Sequence, residues 1–175
     1  MGPTAIDDVV GIVKAYTTRV GQGPFPTEIE DACGTHMQDK GKEFGATTGR
    51  RRRCGWFDAV LVRHAARVNG LTKLVLTKLD VLAGLKKLKV CVAYELDGKR
   101  IDRMPADAKA LDRVNCIYEE CEGWKGDITD ARKVDELPEP ARCYVKMLSD
   151  LVGVPIDIVS VGPDRSANII IRNIF

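Results

Sequence analysis

The sequence predicts an α/β fold that carries an antiparallel hairpin and peripheral helices. Three observations support this. Apolar, β-branched runs recur at residues 9 to 20, 72 to 79 and 156 to 159, and stretches of helical periodicity precede the second and third of them. Asp97-Gly98, a strong short signal for a tight hairpin turn, closes a further apolar run. The chain has 175 residues, 45% of them hydrophobic and 30% charged, which suits one soluble domain with a substantial core.

Taken in order, residues 9 to 20 read as a buried strand ending near Val20. Gly21-Gln22-Gly23-Pro24-Phe25-Pro26 then prevents regular structure and fixes a shaped loop before Thr27-Glu28. Asp58 to Asn69 has helical spacing, with Val60 or Leu61, His64 or Ala65, and Val68 on one face and Asn69-Gly70 as the stop. Residues 72 to 79 form a second strand with Asp80 at its carboxyl end, where open α/β sheets bind ligands. Leu88 to Leu96 pairs back through Asp97-Gly98 onto Lys99 to Arg103. Residues 105 to 136 are polar and read as a peripheral, loop-rich region anchored by Tyr118 and Trp124. Helical periodicity returns from Pro138 to Val152, ended by Gly153 and Pro155, and the short strands 156–159 and 169–171 follow.

A formal net charge of +2 is too balanced for a bulk nucleic-acid binder, and the basic residues are clustered rather than spread. The six cysteines include no C-x-x-C pair and His36 and His64 complete no zinc pattern, so the thiols read as reduced. No apolar run reaches the roughly 18 residues that a membrane span needs, and no apolar signal-peptide core opens the chain. The expectation is a cytoplasmic protein.

The chemistry concentrates in Gly45-Ala46-Thr47-Thr48-Gly49-Arg50-Arg51-Arg52-Arg53. Guanidinium groups bind carboxylate or phosphate through paired hydrogen bonds, while glycines let ligand and backbone approach closely. A basic run is more often a solvated face, a localisation signal or a nucleic-acid patch. Here Phe44 and Cys54-Gly55-Trp56-Phe57 flank it with residues that read as folded core, which favours a local anion site. Thr77-Lys78-Leu79-Asp80 offers a second function. A carboxylate accepts from both N1–H and the exocyclic amine of guanine, a donor pair that adenine lacks, and the Lys78 stem can cover the base while its ammonium stays wet. The motif is weak by itself, since Thr72-Lys73-Leu74 repeats it without the acid. Ser160-Val161-Gly162 supplies a third loop, able to pack on the same base or to serve as a plain turn.

Together with Val13 to Glu28 and Val154 to Arg165, these motifs resemble adenylosuccinate synthetase, in order along nearly the whole chain. The resemblance implies a P-loop-NTPase-like mixed-sheet fold. It also implies a GTP-dependent ligase of AMP biosynthesis, a homodimer that joins L-aspartate to IMP and uses Mg2+. On that basis Ala46, Thr47, Thr48, Gly49, Arg50, Arg51 and Arg52 form the aspartate loop, and Val20 and Arg50 reach IMP. Arg52, Lys78, Leu79, Asp80, Ser160, Val161 and Gly162 contact GTP.

The family's glycine-rich phosphate loop, with its catalytic aspartate, is not in this sequence, and neither histidine has the context of the family's acid. The chain therefore reads as the C-terminal part of one synthetase domain, in three segments. Residues 1–87 carry the substrate loop and first guanine loop, 88–136 the hairpin and peripheral region, and 137–175 a helix–strand region with the second guanine loop. No catalytic or metal-binding residue is assigned within it, and it is expected neither to turn over nor to fold alone. Two other readings stay open: a noncatalytic fragment or nucleic-acid or anion binder using Arg50 to Arg53, and a synthetase for another purine monophosphate.

Overall fold

The computed structural model describes residues 2, 5–47 and 49–173. In chain order the elements are β1 (Val10–Lys14), β2 (Thr17–Arg19), α1 (Ala32–Lys40), β3 (Arg53–Gly55), β4 (Phe57–Asp58), α2 (Ala59–Asn69), β5 (Lys73–Thr77), β6 (Lys87–Leu96), β7 (Lys99–Ile101), α3 (Ala108–Leu111), β8 (Asn115–Glu122), α4 (Glu139–Val152), β9 (Ile156–Ser160) and β10 (Asn168–Ile170). Short 3-10 turns occupy Leu79–Leu82 and Val134–Glu136.

The central sheet has the order β1-β5-β9-β10, with β1, β5 and β9 mutually parallel and β10 antiparallel. Parallel neighbours need long crossovers, and helices α2 and α4 lie within the two that join these strands. A second sheet is built on β6. β8 runs antiparallel along one edge of it, while β4 and β7 share the other. β2 and β3 make a separate two-stranded ribbon, pairing Thr17 with Gly55 and Arg19 with Arg53.

Local chemistry sets the helix ends as anticipated. The Asp58 carboxylate accepts from the Leu61 N–H at 3.0 Å and caps α2, and Gly70 (φ 62°) stops it in the left-handed region. Helix α4 buries Ala141, Tyr144, Val145, Leu148 and Val152 on one side. The Tyr144 hydroxyl donates to the Ala15 carbonyl at 2.7 Å, joining α4 to the end of β1. Leu74, Leu76, Leu82, Leu88, Phe57 and Leu148 lie in one continuous core.

Four expectations need correction. Residues 9 to 20 are two strands in different sheets, broken where Ala15 and Tyr16 turn into the core; β1 lies at the sheet edge, with Ile12 77% exposed. Residues 105 to 136 are not chiefly loop, because β8 pairs with β6 over almost its whole length. Val68 faces solvent rather than the core. Asp80 sits within the 3-10 turn and not at the strand end, because Lys78 (φ 62°) redirects the chain after Thr77. The structure also contains α1, in a stretch that the sequence patterns leave unassigned. Asp31 caps it by accepting from Cys33 N–H at 2.7 Å and Gly34 N–H at 3.2 Å, but it buries only Gly34 and Met37, so it has almost no apolar stripe to detect.

Candidate functional site

Strands β5 and β9 are parallel neighbours, so the loops after them emerge side by side. Between those loops lies a cavity of about 330 Å³, lined by Lys78, Asp80, Ser160 and Gly162 together with Lys40, Gly41, Lys42 and Thr77. The two remaining predicted members behave differently. Leu79 and Val161 are fully buried, and the Val161 N–H is already bonded to the Ala167 carbonyl at 2.9 Å, so only their remaining backbone groups can face a ligand. The Ser160 hydroxyl donates to Gly162 O at 3.0 Å. Gly162 is closely backed, since a Cβ there would stand 3.1 Å from that of Ala167.

Asp80 is half-buried on the wall of this cavity. Burial pushes its carboxyl above the usual range, against its own backbone N–H and the charges of Lys40 and Lys78, which favour the ionised form. Among the described residues no side-chain donor bonds to that carboxylate. It is an acceptor with unfilled capacity, facing a space of ligand size. The lysine pair around Gly41 was missed from sequence, since it closes a stretch that the sequence patterns leave unassigned; Lys40 is held there by the Ala83 carbonyl at 2.7 Å.

The loop expected to hold substrate projects from the ribbon. Phe44 bridges Arg51, Gly45 N–H bonds to Arg50 O at 2.8 Å, and Gly49 (φ 63°) returns its N–H to Gly45 O at 2.9 Å. Ala46, Thr47, Gly49 and Arg50 are exposed, and Thr48 lies outside the described residues. Val20, 73% exposed, follows the last ribbon pair Arg19–Arg53, which sets it beside Arg52 across the ribbon.

The four arginines are not equivalent, contrary to their reading as one anion site. Arg53 is internal scaffolding: its guanidinium grips the Glu28 carboxylate, donates to the carbonyls of Gly21 (3.2 Å) and Gly23 (2.9 Å), and lies 5.3 Å from the Phe25 ring centre. It therefore shapes the glycine–proline loop. Arg51 pairs with Asp39 at 3.2 Å on the surface and covers Phe44. Arg52 reaches inward to Glu43 at 2.9 Å, and its Nε is buried with no hydrogen-bond partner. Arg50 stands on the exposed loop.

Glu43 is the residue that sequence reasoning did not find. Its side chain is 0% exposed, and it receives Lys14 at 2.8 Å, the Tyr16 hydroxyl at 2.7 Å, Arg52 at 2.9 Å and Lys78 at 3.2 Å. Burial alone raises a carboxyl pKa, but the hydrogen bonds and charges of Lys14, Tyr16 and Arg52 outweigh it and hold Glu43 down at about 2. Three cations on one carboxylate leave a local surplus of positive charge between the two loops.

Among the described residues no group of three or more His, Cys, Asp or Glu could hold a metal ion. His36 is engaged with the Val81 carbonyl at 2.9 Å. All six cysteines are free, and no helix among the described residues is long and apolar enough to cross a membrane.

A family model for adenylosuccinate synthetase matches residues 1–169. The chain is 54% identical to adenylosuccinate synthetase of Caldanaerobacter subterraneus subsp. tengcongensis over 99% of its own length, and 55% identical to that of Myxococcus xanthus over all of it, covering 40% of each relative. The chain thus spans about two fifths of the length of the curated relatives it matches. The structure of fully ligated adenylosuccinate synthetase from Plasmodium falciparum superposes with a TM-score of 0.93 at 37% identity, over 97% of this chain and 41% of that one. With a family match across nearly all its residues, a shared fold and the strand-end loops in place, the chain belongs to the adenylosuccinate synthetase family.

Proposed function

We propose that this chain supplies the guanine pocket and the substrate loop of a GTP-dependent ligase, one that joins L-aspartate to IMP and releases adenylosuccinate, GDP and phosphate. The observation that carries this reading is Asp80: a half-buried carboxylate without a side-chain donor, on the wall of a cavity that Lys78, Ser160 and Gly162 also line. It accepts the N1–H and exocyclic amine of guanine, while the Lys78 stem lies along the base. The earlier picture of a wet Lys78 ammonium needs one change, since Gly41 O and Glu43 hold it.

On the other side of Glu43, Arg50 and Arg52 hold anionic groups of aspartate, IMP and GTP. Thr47, Thr48 and Gly49 shape the loop over aspartate, Arg51 supports it from Phe44, and the backbone near Val20 meets IMP. When bound, Mg2+ would screen the GTP phosphates; among the described residues no cluster of three or more His, Cys, Asp or Glu is placed to hold it. General base and acid are assigned to none of the residues described. The setting we infer is a cytoplasmic homodimer of the longer polypeptide.

The test uses a polypeptide that also carries the portion its relatives have beyond this chain. Asp80→Asn should raise KM for GTP about a hundredfold, as expected for two weakened charge-assisted hydrogen bonds, and leave KM for IMP within about twofold. Xanthosine triphosphate should recover activity, because the new amide N–H faces a carbonyl where guanine has its amine. Equal losses for GTP and IMP would count against the assignment. Binding to RNA that weakens steeply with salt and ignores GDP would support the nucleic-acid reading instead.

A further inference from the structure

We propose that Glu43 is a positioning residue that fastens the guanine loop and the substrate loop into a single unit. This rests on the function proposed above and adds a residue that contacts no substrate in that reading. The geometry is specific. Glu43 lies one residue before Phe44, at the base of the loop, and its carbonyl accepts the Arg52 N–H at 2.9 Å. Its carboxylate then takes the Arg52 side chain through Oε2 at 2.9 Å and Lys78 through Oε1 at 3.2 Å. One buried group therefore sets a cation of each loop, with Lys14 (2.8 Å) and Tyr16 (2.7 Å) fixing its orientation from the first strand and the turn after it.

Such a group does more than neutralise charge. Arg52 and Lys78 repel each other, and Glu43 between them makes their juxtaposition stable. Removing the negative charge leaves Lys14, Arg52 and Lys78 facing one another, so both loops should lose their set positions together. A buried carboxylate that served stability alone would not link the binding of two different substrates.

Glu43→Gln preserves shape and removes the charge. In the longer polypeptide, KM for GTP and KM for aspartate should each rise about tenfold, with KM for IMP within about twofold. Uniform rises in all three KM values, or unchanged values with only a lower melting temperature, would overturn the proposal.

If Glu43→Gln does not fold, Lys78→Met replaces it, keeping the stem but removing the ammonium. That variant should raise KM for aspartate at least threefold along with KM for GTP, and an unaltered aspartate KM would overturn the coupling. Asp80→Asn separates the two ideas. If it leaves GTP use intact, the guanine pocket itself is wrong; if it acts as expected while Glu43→Gln fails its test, only the coupling is lost.

Discussion

The proposed guanine corner and the proposed substrate loop are built on opposite principles. The corner is made from the ends of two adjacent parallel strands, and Leu79 and Val161 drive the neighbouring backbone into the core. The substrate loop instead leaves a two-stranded ribbon, exposes Ala46, Thr47, Gly49 and Arg50, and is closed on itself by two backbone hydrogen bonds. A base of constant shape suits a rigid pocket, whereas a small, highly charged substrate needs groups that come down around it. On the proposed function, the contrast divides selectivity and substrate contact between two structures, with Glu43 at their junction.

Three changes would sharpen or break that contrast. Arg50→Ala should have the largest effect, lowering kcat/KM for aspartate about a hundredfold, as for loss of a charge-assisted pair. Because Arg50 is exposed, thermal unfolding should shift by less than about 0.5 kcal/mol. A comparable loss of stability would mean that the loop is as structural as the corner. Gly162→Ala comes next. Its Cβ would press on Ala167, which is tied by backbone bonds to Val161 and Asp164, so the wall cannot retreat, and GTP affinity measured by calorimetry should fall about tenfold. Gly49→Ala should be the mildest. Open space surrounds it, and only the left-handed backbone resists a side chain, at a cost of about 1 kcal/mol that would appear as a few-fold rise in aspartate KM. If Gly49→Ala proved worse than Gly162→Ala, the contrast between the strand-end corner and the exposed loop would have to be reversed.

Sequence patterns revealed what local chemistry decides and missed what distance brings together. Asp58 and Gly70 bound α2 visibly, Asp97-Gly98 announced its turn, with φ 50° and 75°, and the α4 stripe held. The break between β1 and β2 left no mark, because Ala15 and Tyr16 suit a strand as well as a turn; Tyr16 turns inward to reach Glu43. Strand β8 was hidden by its own acids, since Glu119, Glu120 and Glu122 belong to a surface that its pairing with β6 leaves in water. The four guanidinium groups were legible as a group but not as individuals. Which of them turned inward depended on Glu28 and Glu43, and nothing in Lys42-Glu43-Phe44 distinguishes a buried carboxylate from a solvated one.

The unequal fates of the arginines have a practical corollary. An arginine-specific protease meets four cleavable bonds in a row, yet the one after Arg50 adjoins the open loop, whereas that after Arg53 lies in a paired strand whose side chain is clamped to Glu28. Nicking should therefore begin at the loop end of the run and, on the proposed function, slow when aspartate and nucleotide cover it. A tract that grips the substrates, as proposed, would then act as a built-in reporter of whether they are in place.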